Sequence, residues 1–193
     1  MFRLFSRNFS EVKAFNMKTK IILPILLSFA SICSNFLHAQ NMVDEKGFRQ
    51  GAWKITAAMK KLGSPWMPDQ IVEEGNYIDS KKEGVWVSYH QNGTKCGEVA
   101  YKAGRREGIT KYFDNTGSII SSAEYVNGKR DGIMTTYYPD GKVWTEFTWK
   151  NGITEGPAKT YYPSGQLYEE GFWANGAFIR DYKIYNENGT RKR

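Results

Sequence analysis

Reactive side chains are scarce in this 193-residue chain, which has two cysteines and two histidines. One of each, Cys33 and His38, falls within the first 39 residues, leaving Cys96 and His90 for the remainder. A disulfide within residues 40–193 is thereby excluded. A metal site needs converging ligands, and a nucleophile triad needs a serine or thiol with a base and an orienting group; neither set has enough parts here. The glycines do not read as a phosphate loop, because no helix follows them. Long apolar runs are also missing: residues 21–30 form one, but a bilayer span needs about 20 apolar residues.

That short run has a different use. Lys18 and Lys20 precede it, and a polar stretch ending "LHA" follows it before Gln40. This is the layout of a secretory signal peptide with Met17 as its start and cleavage after Ala39. Ile32 stands where lipid attachment at Cys33 would require a small residue. Removing the leader takes away Arg3, Arg7, Lys13, Lys18, Lys20 and Glu11, so the formal charge falls from +7 to +3. The basic balance therefore belongs largely to the leader, and nucleic acid is not expected as a partner. The expected organisation is a leader over residues 1–39, a capping unit over 40–76 and repeats over 77–193.

What the chain has in abundance is aromatic residues, at 15%, and repetition. "NGKRDGIMTTYYPDG" at residues 127–141 returns 24 positions later as "NGITEGPAKTYYPSG", with eight of fifteen residues identical. Gly84, Gly108, Gly132 and Gly156 recur at this step, as do Tyr89, Phe113, Tyr137, Tyr161 and Tyr185, and also Tyr77, Tyr101, Tyr125, Trp149 and Trp173. "GFRQGAW" at 47–53 opens a first unit, displaced by nine extra residues around "KKLGSPWMP". A fixed period of this length signals stacked supersecondary units.

Each unit reads as a β-hairpin. "QNG", "NTG", "PDG", "PSG" and "ENG" fit three-residue loops in which a type I turn ends on a glycine at positive φ. With residues 91–93 as a loop, Tyr89 faces Lys95 and Val87 faces Gly97. Side-chain alternation then sorts the residues onto two faces. Val85, Val87, Tyr89, Val99, Tyr101, Ile109 and Ile133 are expected on a packing face, and Trp86, Cys96, Glu98, Tyr138, Trp144, Glu146, Tyr162, Tyr168 and Glu170 on a wetter one. The expected fold is all-β: tandem antiparallel hairpins of 24-residue period in one elongated, twisted, open sheet.

With "GKRDGIMTTYYPDGKVWTEFTW" in view, the chain resembles the MORN-repeat proteins, in the variant form found in bacterial envelope proteins and an antitoxin-like group. The resemblance covers residues 47–189. Ser80 and Arg180 depart from it, standing where glycines are expected. It implies a non-enzymatic binding or scaffolding surface for a protein, glycan or membrane lipid, or alternatively an antitoxin that neutralises a toxin.

Two groups of residues are candidates for that surface. "KKEG", "RREG" and "KRDG" align Lys81 and Lys82, Arg105 and Arg106, and Lys129 and Arg130 on successive turns, where an anionic headgroup or polysaccharide could bridge them. Trp86, Tyr138, Trp144, Tyr162 and Tyr168 could stack on sugars or an apolar segment. Glu98, Glu146 and Glu170, in register, are expected to be cross-strand partners of Lys or Thr. No metal or cofactor is called for. Exposed strands at the sheet ends make a second copy of the chain another possible partner. The leader places the chain in the periplasm, at the outer membrane or outside the cell.

Overall fold

A computed structural model describes residues 40–192, with Arg180 and Asp181 for their backbone alone. The leader, with Met17 and Cys33, lies outside the described residues. Twelve strands follow one another: β1 (Met42–Val43), β2 (Arg49–Thr56), β3 (Ile71–Ile78), β4 (Lys81–Tyr89), β5 (Lys95–Lys102) and β6 (Arg105–Phe113), then β7 (Ile119–Val126), β8 (Lys129–Tyr137), β9 (Val143–Lys150), β10 (Ile153–Tyr161), β11 (Leu167–Ala174) and β12 (Ala177–Ile184). Each pairs antiparallel with the next in one open sheet. At about 4.8 Å per strand the sheet extends roughly 50 Å across its strands.

Two kinds of hairpin alternate. Along one edge the three-residue loops form as expected: Gly93 N–H donates to His90 O at 2.9 Å and His90 N–H to Thr94 O at 2.8 Å, with Gly93 at φ +83°. Along the other edge the turns are two-residue, at residues 79–80, 103–104, 127–128, 151–152 and 175–176, with both residues at positive φ. Their backbone twist matches that of the flanking strands, which is why Asn-Gly recurs there. "KKEG", "RREG" and "KRDG" accordingly open strands β4, β6 and β8 instead of forming turns.

The expected face assignment fails by one residue per hairpin. Tyr89 does face Lys95, but Ser88 faces Gly97 and Val87 faces Glu98, leaving Cys96 as an extra residue. Ile120, Trp144 and Tyr168 are the equivalent extra residues of later hairpins. Such a bulge exchanges the two faces for everything beyond it on that strand. The two aromatic series, expected together, therefore lie on opposite faces. The front carries Tyr77, Tyr101, Tyr125, Trp149 and Trp173; the back carries Tyr89, Phe113, Tyr137, Tyr161 and Tyr185.

Burial follows the corrected register. Trp86 is 1% exposed, whereas Val85, Ile109 and Ile133 are 57%, 56% and 50% exposed. Trp86 lies over Gly75, where a Cβ would collide with its indole ring, and its Nε1 donates to Asn76 O at 2.9 Å. Its ring meets Tyr77 edge-on at 4.7 Å, and Tyr77 meets Trp53 at 5.6 Å. Ile55, Ala57 and Val72 complete this core, and Trp66 from the inserted segment packs against it. The insertion thus closes the front face of the first hairpins.

Candidate binding surface

Pleating splits the three basic pairs. Lys81, Arg105 and Lys129 project to the back and are exposed, while Lys82, Arg106 and Arg130 point to the front and are half-buried. On the front each cation lies over an aromatic ring. The Lys82 Nζ is 4.1 Å from the Trp86 ring centre and 5.2 Å from that of Tyr101. The Arg106 guanidinium is 5.1 Å from Tyr125, and that of Arg130 is 4.8 Å from Trp149. Arg49, which the sequence reading did not select, belongs to the same series at 5.0 Å from Trp53 and 5.2 Å from Tyr77. Its signal was present in "GFRQGAW", where it precedes its glycine by two positions as Lys82 precedes Gly84.

Hydrogen bonds orient these stacks. Arg49 and Arg106 each donate through Nη1 at 3.1 Å to the hydroxyls of Tyr77 and Tyr125. Burial opposes the Arg106 charge, but the oxygens of Tyr112, Tyr125 and Tyr101 outweigh it and hold its pKa above the ordinary value. Thr154 and Phe178 end the cationic series. Beyond them Phe147, Ala158, Trp173, Phe178 and Tyr182 line a hollow of about 250 Å³.

The acid directly before each of Gly84, Gly108, Gly132 and Gly156 caps the next turn. Glu83 accepts from Ala103 N–H at 2.7 Å, Glu107 from Asn127 at 2.7 Å, Asp131 from Asn151 at 3.0 Å and Glu155 from Asn175 at 2.7 Å. The first turn uses Gln50 in the same way, accepting from Asp79 at 3.1 Å.

Of the back-face acids, Glu170 has the expected cross-strand lysine, Lys183, whereas Glu98 pairs with a lysine of its own strand and Glu146 with a tyrosine. Glu146 accepts from Tyr161 at 2.8 Å and Glu170 from Tyr185 at 2.8 Å and Lys183 at 2.9 Å. Tyr89 donates to Glu74 in the same arrangement, and Tyr137 bonds Ser122 where serine replaces the acid. Phe113 has no hydroxyl, and Glu98 pairs instead with Lys95 at 2.5 Å. Tyrosine, more than Lys or Thr, is the common partner.

The aromatic candidates separate likewise. Trp86 is enclosed in the core. Tyr138 and Trp144, 5.9 Å apart, and Tyr162 and Tyr168, 5.0 Å apart, pair beside the three-residue loops. The hydroxyls of Tyr138 and Tyr162 donate to the carbonyls of Tyr161 and Tyr185, at 2.6 and 3.0 Å. They therefore tie one repeat to the next, and Trp144 at 48% exposure is the most open ring of this group.

The class these features define is an open sheet of tandem hairpins whose repeats bind to one another through caps and ring ladders. Residues 82–103, 106–127, 130–151 and 154–175, four stretches in tandem, each match the family described as MORN repeat variant. Such repeats are in general binding elements and not enzymes. No curated protein matches the chain. Among solved structures, a crystal structure of TarM is similar at 12% identity and TM-score 0.36, covering 51% of this chain and 20% of that one. A GtfA/B complex bound to UDP and GlcNAc is similar at 13% identity and TM-score 0.28, covering 57% and 22%. This chain spans about a fifth of the length of each, too partial a likeness to bear on activity.

Proposed function

We propose that this chain is an exported, non-enzymatic repeat protein that offers the front face of its sheet to an envelope partner: a protein, a glycan or a lipid surface. The observation that carries the reading is the row of cations held over aromatic rings, a prepared surface that folding alone does not require. Export rests on Lys18, Lys20, the apolar run at 21–30 and the small residue Ala39. The alternative, an antitoxin-like role against a toxin in the cytoplasm, needs the chain to stay inside.

The test is fractionation of cells producing the full chain with a C-terminal tag, followed by crosslinking and recovery through the tag. The expected result is a species shortened by residues 1–39 in the envelope fraction, crosslinked through the front face. An unshortened chain in the cytoplasm, crosslinked to a soluble protein, would replace the first reading with the antitoxin-like one.

A further inference from the structure

Lys82 has a neighbour that its counterparts lack. Glu73, nine residues earlier on the adjacent strand, pairs with Lys82 and also with Lys60 at 2.8 Å. One step of 24 puts Gly97 in that place relative to Arg106, and a second step puts Ser121 there relative to Arg130. Neither can neutralise a guanidinium.

Other acids do not fill the gap. Glu107 and Asp131 cap turns, while Glu98 and Glu146 lie on the back with Lys95 and Tyr161. Among the described residues every ion pair uses a lysine, and no carboxylate is within salt-bridge distance of Arg49, Arg106 or Arg130. Arg130 Nε and Trp149 Nε1 are buried donors with no acceptor. The fold thus segregates charge around Arg106 and Arg130, whose guanidinium groups lie unneutralised at the centre of the front, while the front-face carboxylates Glu73 and Glu169 stand towards either end, with Lys82 and with Thr160.

We infer that Arg106 and Arg130 recognise a linear acidic polysaccharide laid across strands β6 to β8, with one carboxylate in each disaccharide. This rests on the binding-surface reading above and names its partner's chemistry. Arg106 and Arg130 are two strands apart, about 10 Å. An extended peptide presents same-face side chains every ~6.6 Å and falls out of step. A glycan with alternating acidic and neutral sugars carries one carboxylate per two rings, which suits the two-strand step. Guanidinium groups grip carboxylates through paired N–H donors, and the half-buried rings of Tyr112 and Trp149 beside them suit the neutral sugar.

The probe is a hyaluronan octasaccharide titrated calorimetrically into the full chain at low salt. Saturable binding is expected, reduced about tenfold or more in R106Q/R130Q. Ser121→Glu, which supplies Arg130 with the acid that Glu73 gives Lys82, is expected to weaken binding without truncating any side chain. R105Q/K129Q removes the same charge from the back and is expected to bind like the parent. R106K/R130K keeps the charge but not the paired donors and should fall between parent and R106Q/R130Q. Thermal melts confirm that each variant is folded.

Equal losses in the front and back double variants would overturn the inference in favour of net charge. Tighter binding of a polyglutamate peptide of matched length, or no binding of hyaluronan by the parent, would overturn it too. If hyaluronan fails but front-face crosslinks in the envelope persist, only the partner's chemistry is wrong; if both fail, the binding-surface reading falls as well.

Discussion

Tyr161 reaches back fifteen residues to donate a 2.8 Å hydrogen bond to Glu146, and Tyr185 does the same to Glu170. One repeat is thereby fastened to the one before it on the back of the sheet. Burial first, and the Glu146 carboxylate second, push the Tyr161 hydroxyl up to about 12; for Tyr89, also raised to about 12, the bond to Glu74 is the larger cause.

A pKa raised on folding stabilises the protein fully below the ordinary value of 10.0, and that contribution is lost as pH rises towards about 12. Tyr161→Phe should therefore flatten the decline of thermal stability across this window. In tyrosinate absorbance titrations, Glu74→Gln should lower the Tyr89 value more than Glu146→Gln lowers that of Tyr161. A larger effect at Tyr161 would contradict the assigned causes.

Glu73 behaves in the opposite sense. Burial raises its pKa, but bonds from Lys60 and Lys82 prevail and hold it below the ordinary 4.5. Its contribution is present above pH 4.5 and is lost as pH falls through the lower folded value. Glu73→Gln should cost about 1–2 kcal/mol at neutral pH and reduce the steepness of acid unfolding. An unchanged acid limb would show that the pair is not coupled to folding.

Gly75→Ala should be destabilising by about 1–3 kcal/mol, because the new methyl group meets the enclosed Trp86 indole and not backbone strain. At this size 1 kcal/mol corresponds to a Tm shift of about 2–4 °C. In a Trp86→Leu background the same substitution should cost much less. Equal costs in both backgrounds would rule out the proposed collision.

Glu107→Ala removes the acceptor for Asn127 N–H and should speed amide hydrogen exchange at the 127–128 turn while leaving the 151–152 turn unchanged. Asp131→Ala should produce the reverse pattern. Faster exchange at both turns in either variant would mean that the caps act cooperatively along the edge.

The loops were the most legible part of the fold. Gly93, Gly117, Gly141, Gly165 and Gly189 mark the three-residue hairpins because positive φ is local and glycine adopts it without a steric cost. The candidate surface was half legible. Lys82, Arg106 and Arg130 stood out as members of basic pairs, but strand pleating placed the two members of each pair on opposite faces. The extra residue at Cys96 left no mark, since neither cysteine nor the Ile120, Trp144 and Tyr168 that replace it is a bulge signal. A single inserted residue moved Val99 and Tyr101 to the face of Trp86, and with them the whole assignment of inside and outside.

The amino-acid order alone determined the repeat length, the loop positions, the all-β class and the recurrence of a basic residue two places before Gly51, Gly84, Gly108 and Gly132, because these depend on local backbone preference and period. Only the folded sheet decided which ring each cation covers, which acids cap turns and which guanidinium groups keep no carboxylate. Those depend on register between strands, and register follows from bulges and hydrogen bonds that join residues 9, 15 or 20 positions apart.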